Sequence, residues 1–380
     1  MASAYVPGLQ GVVAARTRLS KVDGRKGELV IAGYPLEEIA GRATFEEMVF
    51  LLWNDRLPSA RDLETFRSEL VAVRDLPPIT RDVLEAAAAQ KLPAMDALRM
   101  AAGTLSLRTD GETVPEGPYR DALVSVARFA TIVAGYGRLL AGEGPVAPHH
   151  GLSHAANYLY MLTGSRPSDA RTRALETYLN TVIDHGLNAS TFAARVIVST
   201  ESDVISAIVG AIGALKGPLH GGAPGPALDM VFEIGRAANA EPFMRAKLDR
   251  GERLMGFGHR IYKVRDPRAD VLSAAAEALF RADGDMDLYE LAREVERVAL
   301  RLLDEYKPGR SLRTNVEFFT ALVLQGLGIP VDLFTPTFAV SRVAGWAAHC
   351  LEQLGANRII RPESEYAGET GRQWAPLERR

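Results

Sequence analysis

Cysteine is almost absent from this sequence, since Cys350 is the only one among 380 residues. One thiol excludes an intramolecular disulfide and any metal or cluster site that needs several cysteines. Long hydrophobic runs are also missing, because no uninterrupted apolar stretch approaches the roughly 20 residues of a membrane-spanning helix. The opening "MASAYVPGLQGVV" lacks the features of a secretory signal or an organelle presequence. We therefore expect a cytoplasmic protein without a membrane anchor.

Neither sign of charge is in large excess, since 44 Lys and Arg residues are matched by 47 Asp and Glu residues, a net charge of −3. This balance argues against a partner made of nucleic acid. The short signatures GxxxxGK(S/T), GxSxG and HExxH are missing as well. No activity therefore follows from a familiar local motif, and the residues that could indicate one lie in several separate segments.

The pattern of apolar residues is mainly helical. Only the beginning indicates β-structure, where "GVVAARTRLSKVDGRKGELVIAG" has two apolar runs around a turn at Asp23 to Gly27. In "TFEEMVFLLW" apolar residues recur at helical spacing, and Thr44 with Glu47 fits a capping box. Similar patterns, separated by Gly and Pro, predict a mainly α-helical protein with helices over 82–103, 119–140, 171–184, 202–215, 266–282, 287–304, 315–327 and 338–354.

Three of the seven histidines lie in or beside glycine-containing connections: His185 in "VIDHGLNAS", His220 in "LKGPLHGGAPG" and His259 in "LMGFGHRIYKVRDPRAD". A histidine just before a helix lies at the positive end of the helix dipole, which disfavours the charged ring. A neutral ring N–H can donate to a developing oxyanion. This role suits His220, and the alternative is a structural loop histidine.

A basic patch surrounds His259. The 16 residues from Arg253 to Arg268 contain five basic residues and one acidic residue, which leaves the other 364 residues with a net charge of −7. Such a patch suits a small ligand with phosphate or carboxylate groups, and the alternative is a solvated loop. Asp266 and Pro267 indicate the N-cap and first residue of a helix that carries Arg268 in its first turn.

Glu317 and Arg342 each have two interpretations. Thr314 lies three residues before Glu317, so this pair fits a capping box, whereas the same carboxylate could serve as a catalytic base. Arg342 shares a helical stripe with His349 and Gln353, which indicates the polar face of a helix, and the alternative is a functional arginine.

The segments "DHGLNASTFAARV", "GALKGPLHGGA", "GFGHRIYKVRDPRA", "PVDLFTPTFAVSRVAGW" and "NRIIRPESEY" resemble the citrate synthase family. The resemblance runs in order over nearly the whole chain, from "GLQGVVAARTRLSKVDG" to "EYAG". It implies a two-domain helical fold with a short N-terminal β-hairpin. The large domain would comprise residues 1–219 and 323–380, and the small domain would comprise residues 220–322.

The resemblance also implies the reaction. Acetyl-CoA and oxaloacetate would be condensed and hydrolysed to citrate and CoA by a homodimer, without a metal or redox cofactor. The implied catalytic residues are His220, His259 and Glu317. The implied oxaloacetate-binding residues are His185, Arg268, Arg342 and, from the second subunit, Arg361. The implied CoA-binding residues are Gly256, Phe257, Gly258 and Lys263.

Two departures from the family pattern leave alternatives open. The family usually has Asp where this chain has Glu317, and Asn-Glu where it has Pro224 and Gly225. A longer carboxylate and a changed loop could mark a different preferred acyl-CoA. The alternatives are a 2-methylcitrate synthase that uses propionyl-CoA and a non-catalytic CoA-binding paralogue.

Overall fold

The computed structural model describes residues 5–221, 225–259, 261–262 and 264–380. Within these ranges the chain forms sixteen α-helices and one small sheet, which confirms the predicted mainly α-helical class. The helices are α1 (Leu36–Ile39), α2 (Phe45–Asn54), α3 (Ala60–Ala72), α4 (Pro78–Ala89), α5 (Ala94–Ala102), α6 (Pro118–Leu140), α7 (His154–Thr163), α8 (Asp169–Val182), α9 (Ala189–Val198), α10 (Val204–Leu215), α11 (Gly225–Ile234), α12 (Ala240–Asp249), α13 (Pro267–Asp283), α14 (Asp287–Tyr306), α15 (Val316–Gly326) and α16 (Phe334–Gly355).

The sheet is the predicted N-terminal hairpin with one short added strand. Its antiparallel strands are β1 (Ser20–Asp23), β2 (Glu28–Ile31) and β3 (Tyr34–Pro35). The Asp23 carboxylate accepts the backbone N–H groups of Arg25 and Lys26, both at 3.0 Å, which explains the tight turn. The earlier apolar run is not a strand, because Val12 and Val13 precede β1 and lie exposed.

Local signals locate most helix ends. The capping box of Thr44 and Glu47 is present at α2, and Asp266 caps α13 ahead of Pro267, as predicted. The predicted helix over 82–103 is wrong, since this stretch forms α4 and α5. Lys91 takes a positive φ of 51°, and the proline that precedes α5, Pro93, has no N–H to continue α4.

Helix α6 is long and apolar enough to cross a membrane by length and composition alone. In this fold 78% of its most apolar 18-residue window is buried inside the protein. It packs against α5, α7 and α16, so its apolar character is accounted for by the core.

Helix α16 lies at the centre of the fold, against α6, α8, α9 and α10. Its side chains Trp346 and Cys350 are fully buried. Burial raises the pKa of the Cys350 thiol to about 12, so the thiol stays protonated at neutral pH. The one cysteine of the chain is therefore a core residue.

A close contact joins α16 to the end of α8. The Ser341 hydroxyl donates to the carbonyl oxygen of Leu179 at 2.5 Å, and Arg342 Nε donates to that of Val182 at 2.8 Å. One turn later, a Cβ added at Gly345 would lie 2.3 Å from the carbonyl oxygen of Ile183. Glycine is therefore required for this approach, which holds the segment after α8 against the middle of α16.

We expect Gly345→Ala to destabilise the protein by about 1 to 3 kcal/mol, because the added methyl group collides with backbone that has to shift. Gly355→Ala in the same helix is the matched control, since a Cβ there meets nothing within 4 Å. Alanine favours helix by up to about 1 kcal/mol over glycine, so the control should be neutral or stabilising. Urea unfolding measures both, and equal stabilities of the two variants would contradict the close contact.

Candidate active site

A cleft of about 730 Å³ brings six of the predicted site residues together. The sequence did not show that these residues lie close together in space, and the structure does. They are His185 after α8, His220 after α10, His259 before α13, Arg268 on α13, Glu317 on α15 and Arg342 on α16.

His220 is held by Ser190, near the start of α9. The Ser190 backbone N–H donates to His220 Nε2 at 3.3 Å, and the Ser190 hydroxyl oxygen lies 2.8 Å from the same nitrogen. A ring whose Nε2 accepts carries its proton on Nδ1. Burial, followed by the charge of Arg342, lowers the pKa of His220. The ring is therefore neutral at neutral pH and keeps Nδ1–H as a donor.

His259 and Arg268 each place a hydrogen-bond donor in the same part of the cleft. His259 Nδ1 accepts the backbone N–H groups of Ile261 and Tyr262 at 3.0 and 3.1 Å, so the proton of a neutral ring lies on Nε2. This Nε2 lies 3.4 Å from Nη2 of Arg268, which is itself a donor. An oxygen of a ligand between the two groups would accept from both.

His185 forms the buried side of this cluster. Its Nε2 lies 3.0 Å from the Tyr262 hydroxyl, and its ring lies 6.0 Å from that of His259. Burial lowers the pKa of His185 well below its usual value, and the charges of Arg268 and Arg342 lower it further. The ring is therefore uncharged and can hydrogen-bond a ligand without adding a third buried charge.

Two buried guanidinium groups provide the positive charge of the cleft. Arg268 donates to both carboxylate oxygens of Asp266, at 3.0 and 2.8 Å. Arg342 binds the carbonyl oxygen of Val182, and its guanidinium carbon lies 4.5 Å from the centre of the Phe338 ring. No ion pair joins Arg342 to a carboxylate in the part of the chain that is described. Burial lowers the pKa of Arg342 to about 10, and it remains charged at neutral pH.

The predicted polar face around Arg342 is buried, contrary to what a polar face usually indicates. Arg342 is 2% exposed and His349 is fully buried. His349 Nε2 lies 3.2 Å from Asp184, and Nδ1 lies 2.9 Å from Arg195 of α9. Helical periodicity separates polar from apolar faces, but here both faces contact other helices.

Glu317 is not part of a capping box. The N-cap of α15 is Asn315, whose side-chain oxygen accepts the Glu317 N–H at 3.0 Å. Thr314 instead donates to Glu296 at 2.6 Å. Burial raises the pKa of the Glu317 carboxyl group to about 7, although the charge of Arg268 partly opposes this rise. The carboxylate is therefore free of a capping role and titrates near neutral pH.

The glycine-rich segment before His259 lies beside the start of α15. Gly258 N–H donates to the carbonyl oxygen of Arg313 at 2.7 Å, and Phe257 packs against Phe318 with ring centres 5.3 Å apart. A Cβ added at Gly256 would meet the Phe318 side chain at 2.8 Å. This segment is thus fixed next to the helix that carries Glu317.

Of the predicted residues that the structure describes, Gly256, Phe257, Gly258 and Arg361 are not among those that line the cleft. Arg361 follows α16 in the exposed C-terminal segment. Lys263 lies outside the described residues, as does Pro224. Among the described residues, no group of three or more His, Cys, Asp or Glu side chains is arranged to hold a metal ion.

Several residues that line the cleft or contact its histidines were not predicted from the sequence. Ser190 and Tyr262 lie within two of the segments singled out, but their contacts with histidines depend on the fold. Asn315 could have been recognised, because Asn is among the best N-cap residues. Nothing in the sequence indicated that the segment from Gly8 to Ala14 would line the cleft.

Comparison with known proteins gives a consistent result. The family model described as "Citrate synthase, C-terminal domain" matches residues 8–363. The citrate synthase of Haloferax volcanii is 41% identical and is aligned over 98% of both chains. The 2-methylcitrate synthase of Mycobacterium tuberculosis is 39% identical over 96% of this chain and 91% of that one. The citrate synthase of Thermoplasma acidophilum, solved with carboxymethyl coenzyme A and oxaloacetate, is 31% identical over 98% of both chains, with a TM-score of 0.85.

We expect Glu317→Gln to stabilise the substrate-free protein at pH 8 by about 1 to 3 kcal/mol. The folded-state pKa of about 7 exceeds the usual 4.5, so the folded protein holds this proton more tightly than the unfolded chain. The resulting stability is complete below about pH 4.5 and lost as the pH rises through 7. The advantage of the glutamine variant should therefore shrink towards pH 5.

Urea unfolding across this pH range measures the effect, with Glu64→Gln on the exposed surface of α3 as the matched loss of one charge. A stability difference between wild type and Glu317→Gln that is constant from pH 5 to 8 would contradict the raised pKa.

Proposed function

Because the chain belongs to the citrate synthase family, we propose that it condenses acetyl-CoA with oxaloacetate and hydrolyses the product to citrate and CoA. One observation carries this proposal: a single cleft holds the neutral histidines His185 and His220, a carboxyl group with a pKa of about 7 and two buried arginines. This set supplies a base, oxyanion donors and binding groups for a dicarboxylate.

In the first step Glu317 removes a proton from the methyl group of acetyl-CoA. A thioester methyl group is a very weak acid, so the developing oxygen charge has to be stabilised at the same time. His220 is suited to this because its neutral ring has Nδ1–H to donate to the thioester oxygen. The proton moves to the Glu317 carboxylate, and the thioester becomes an enolate whose oxygen accepts the hydrogen bond from His220.

In the second step the enolate carbon attacks the ketone carbon of oxaloacetate. A carbon–carbon bond forms as the π bond of the ketone breaks, and the ketone oxygen takes a proton from His259, whose Nε2–H lies beside Arg268. The proton that Glu317 took up is then released and replaces the one that His259 gave. Arg268, Arg342 and His185 hold the two carboxylates. The resulting citryl-CoA is then hydrolysed, so water cleaves its thioester bond and CoA leaves.

CoA itself is proposed to bind at the segment Gly256, Phe257 and Gly258, with Lys263 supplying positive charge. This segment lies next to the start of α15 and brings the acyl group towards Glu317. The small domain, 220–322, would close over the large domain, 1–219 and 323–380, once oxaloacetate is bound. Closure would exclude water before the enolate forms.

A 2-methylcitrate synthase is the second candidate, because one relative that is 39% identical has this name. Propionyl-CoA differs from acetyl-CoA by one methylene group, which an apolar pocket discriminates by only about 1 to 3 kcal/mol. The family assignment favours an enzyme over the non-catalytic alternative.

The test is release of CoA, measured with oxaloacetate and either acetyl-CoA or propionyl-CoA. We expect turnover of acetyl-CoA to exceed that of propionyl-CoA, and Glu317→Gln to lose at least about 10²-fold in kcat while still binding oxaloacetate. Activity of the wild type should fall as the pH drops through 7, where Glu317 gains its proton. Wild-type turnover in Glu317→Gln would remove this residue from the role of base.

The exposed position of Arg361 suits a homodimer in which each subunit lends this arginine to the other's cleft. Glu317→Gln and Arg361→Ala should then each be nearly inactive alone, but co-expression should restore activity. In a mixed dimer, one site carries both substitutions and the other carries neither. Random pairing makes half of the dimers mixed, so about a quarter of wild-type activity should return. No recovery in isolated mixed dimers would mean that Arg361 does not act across the interface.

A further inference from the structure

Asn315 lies between the segment that carries His259 and the helix that carries Glu317. Its side-chain oxygen accepts the Glu317 N–H at 3.0 Å, and its side-chain nitrogen donates to the carbonyl oxygen of Gly258 at 2.9 Å. Its own N–H donates to the carbonyl oxygen of Gly256 at 3.0 Å. One residue thus ties the base-carrying helix to the backbone just before His259.

Thr314, the residue before Asn315, is held by the buried carboxylate of Glu296. The Thr314 hydroxyl donates to Oε1 of Glu296 at 2.6 Å, and Arg265 donates to the same oxygen at 2.7 Å. Arg293 donates to the other oxygen at 2.6 Å, so the buried Glu296 carboxylate is fully engaged. The backbone next to Asn315 is therefore held in place. A change in the Asn315 side chain acts on its two contacts, Gly258 and the N–H of Glu317.

Capping alone does not account for the side chain of Asn315. An N-cap residue needs one acceptor, which Ser, Thr or Asp also provides. Only an amide side chain of this length supplies that acceptor and, in the opposite direction, a donor for Gly258. The hydrogen bond to the Gly258 carbonyl oxygen is the part that capping leaves unexplained.

We propose that Asn315 is a positioning residue that sets the distance between Glu317 and His259, and through it the reach of the longer carboxylate. This inference rests on the proposed function, in which these two residues act on the two substrates. A displacement of about 1 Å between reacting groups can cost about 10²-fold in rate. Asn315 thus holds the backbone of Glu317 in place relative to the segment that carries His259.

The first test is Asn315→Ser, which keeps a good N-cap but cannot reach Gly258. We expect kcat to fall about 10- to 100-fold, with KM for oxaloacetate within about threefold of wild type. Asp203→Ser, at the N-cap of α10 outside the cleft, is the matched exchange of a cap and should leave kcat unchanged. Wild-type kcat in Asn315→Ser would overturn the proposal.

A double-mutant cycle separates positioning from general loss of structure. In the wild-type background, Glu317→Asp shortens a carboxylate whose place is fixed, and kcat should fall about 10- to 100-fold. In the Asn315→Ser background the carboxylate is already displaced, so the same shortening should cost less than about threefold. Additive losses in kcat would show that residue 315 does not set the reach of residue 317, and would overturn the proposal.

Hydrogen exchange provides a readout that does not need activity. Asn315→Ser should speed amide exchange in peptides covering both 256–259 and 314–320, with unchanged exchange in α16. Unchanged exchange at 256–259 would overturn the proposal whatever the kinetics. If the wild type released no CoA from either acyl-CoA while both peptides responded together, the proposed function would fail and the structural link would stand.

Discussion

The cleft depends on keeping two arginine charges out of water. Arg268 and Arg342 are both nearly fully buried, and such a charge is stable only where hydrogen bonds or opposite charges replace lost hydration. Asp266 does this for Arg268, while a backbone carbonyl and the face of Phe338 do it for Arg342. The cleft therefore carries excess positive charge that can bind an anionic ligand.

The protonation states of the neighbouring groups follow from that charge and from burial. Burial, and after it the charges of the two arginines, disfavours a charged ring, so His185 and His220 are neutral and can act as donors. Burial disfavours the ionised form of Glu317 more strongly than the charge of Arg268 favours it, which leaves the pKa at about 7. Asp266 connects these effects, because the same carboxylate that pairs with Arg268 also accepts the N–H of Val316, at the start of α15.

What the sequence predicts correctly is mostly local. The turn at Asp23, the capping box at Thr44 and the helix start at Asp266 involve neighbours along the chain, and each is found as expected. What it misses depends on the fold. Thr314 fits a capping box with Glu317, but its hydroxyl donates to the distant Glu296 instead, which no local pattern reveals. Likewise, the exposure of the Arg342 stripe depends on α8 and α9, which no periodicity in α16 can reveal.

The lone cysteine has a practical consequence for distance measurements with site-specific labels. Cys350 is fully buried and its thiol stays protonated, so thiol-directed reagents have no native target in the folded chain. Leu187 and Ile261 line the cleft from two separate segments of the chain and are partly exposed. Cysteines placed at these two positions would take spin labels or fluorophores alone, without prior removal of the native residue. The distance between these two positions can then be measured directly in solution.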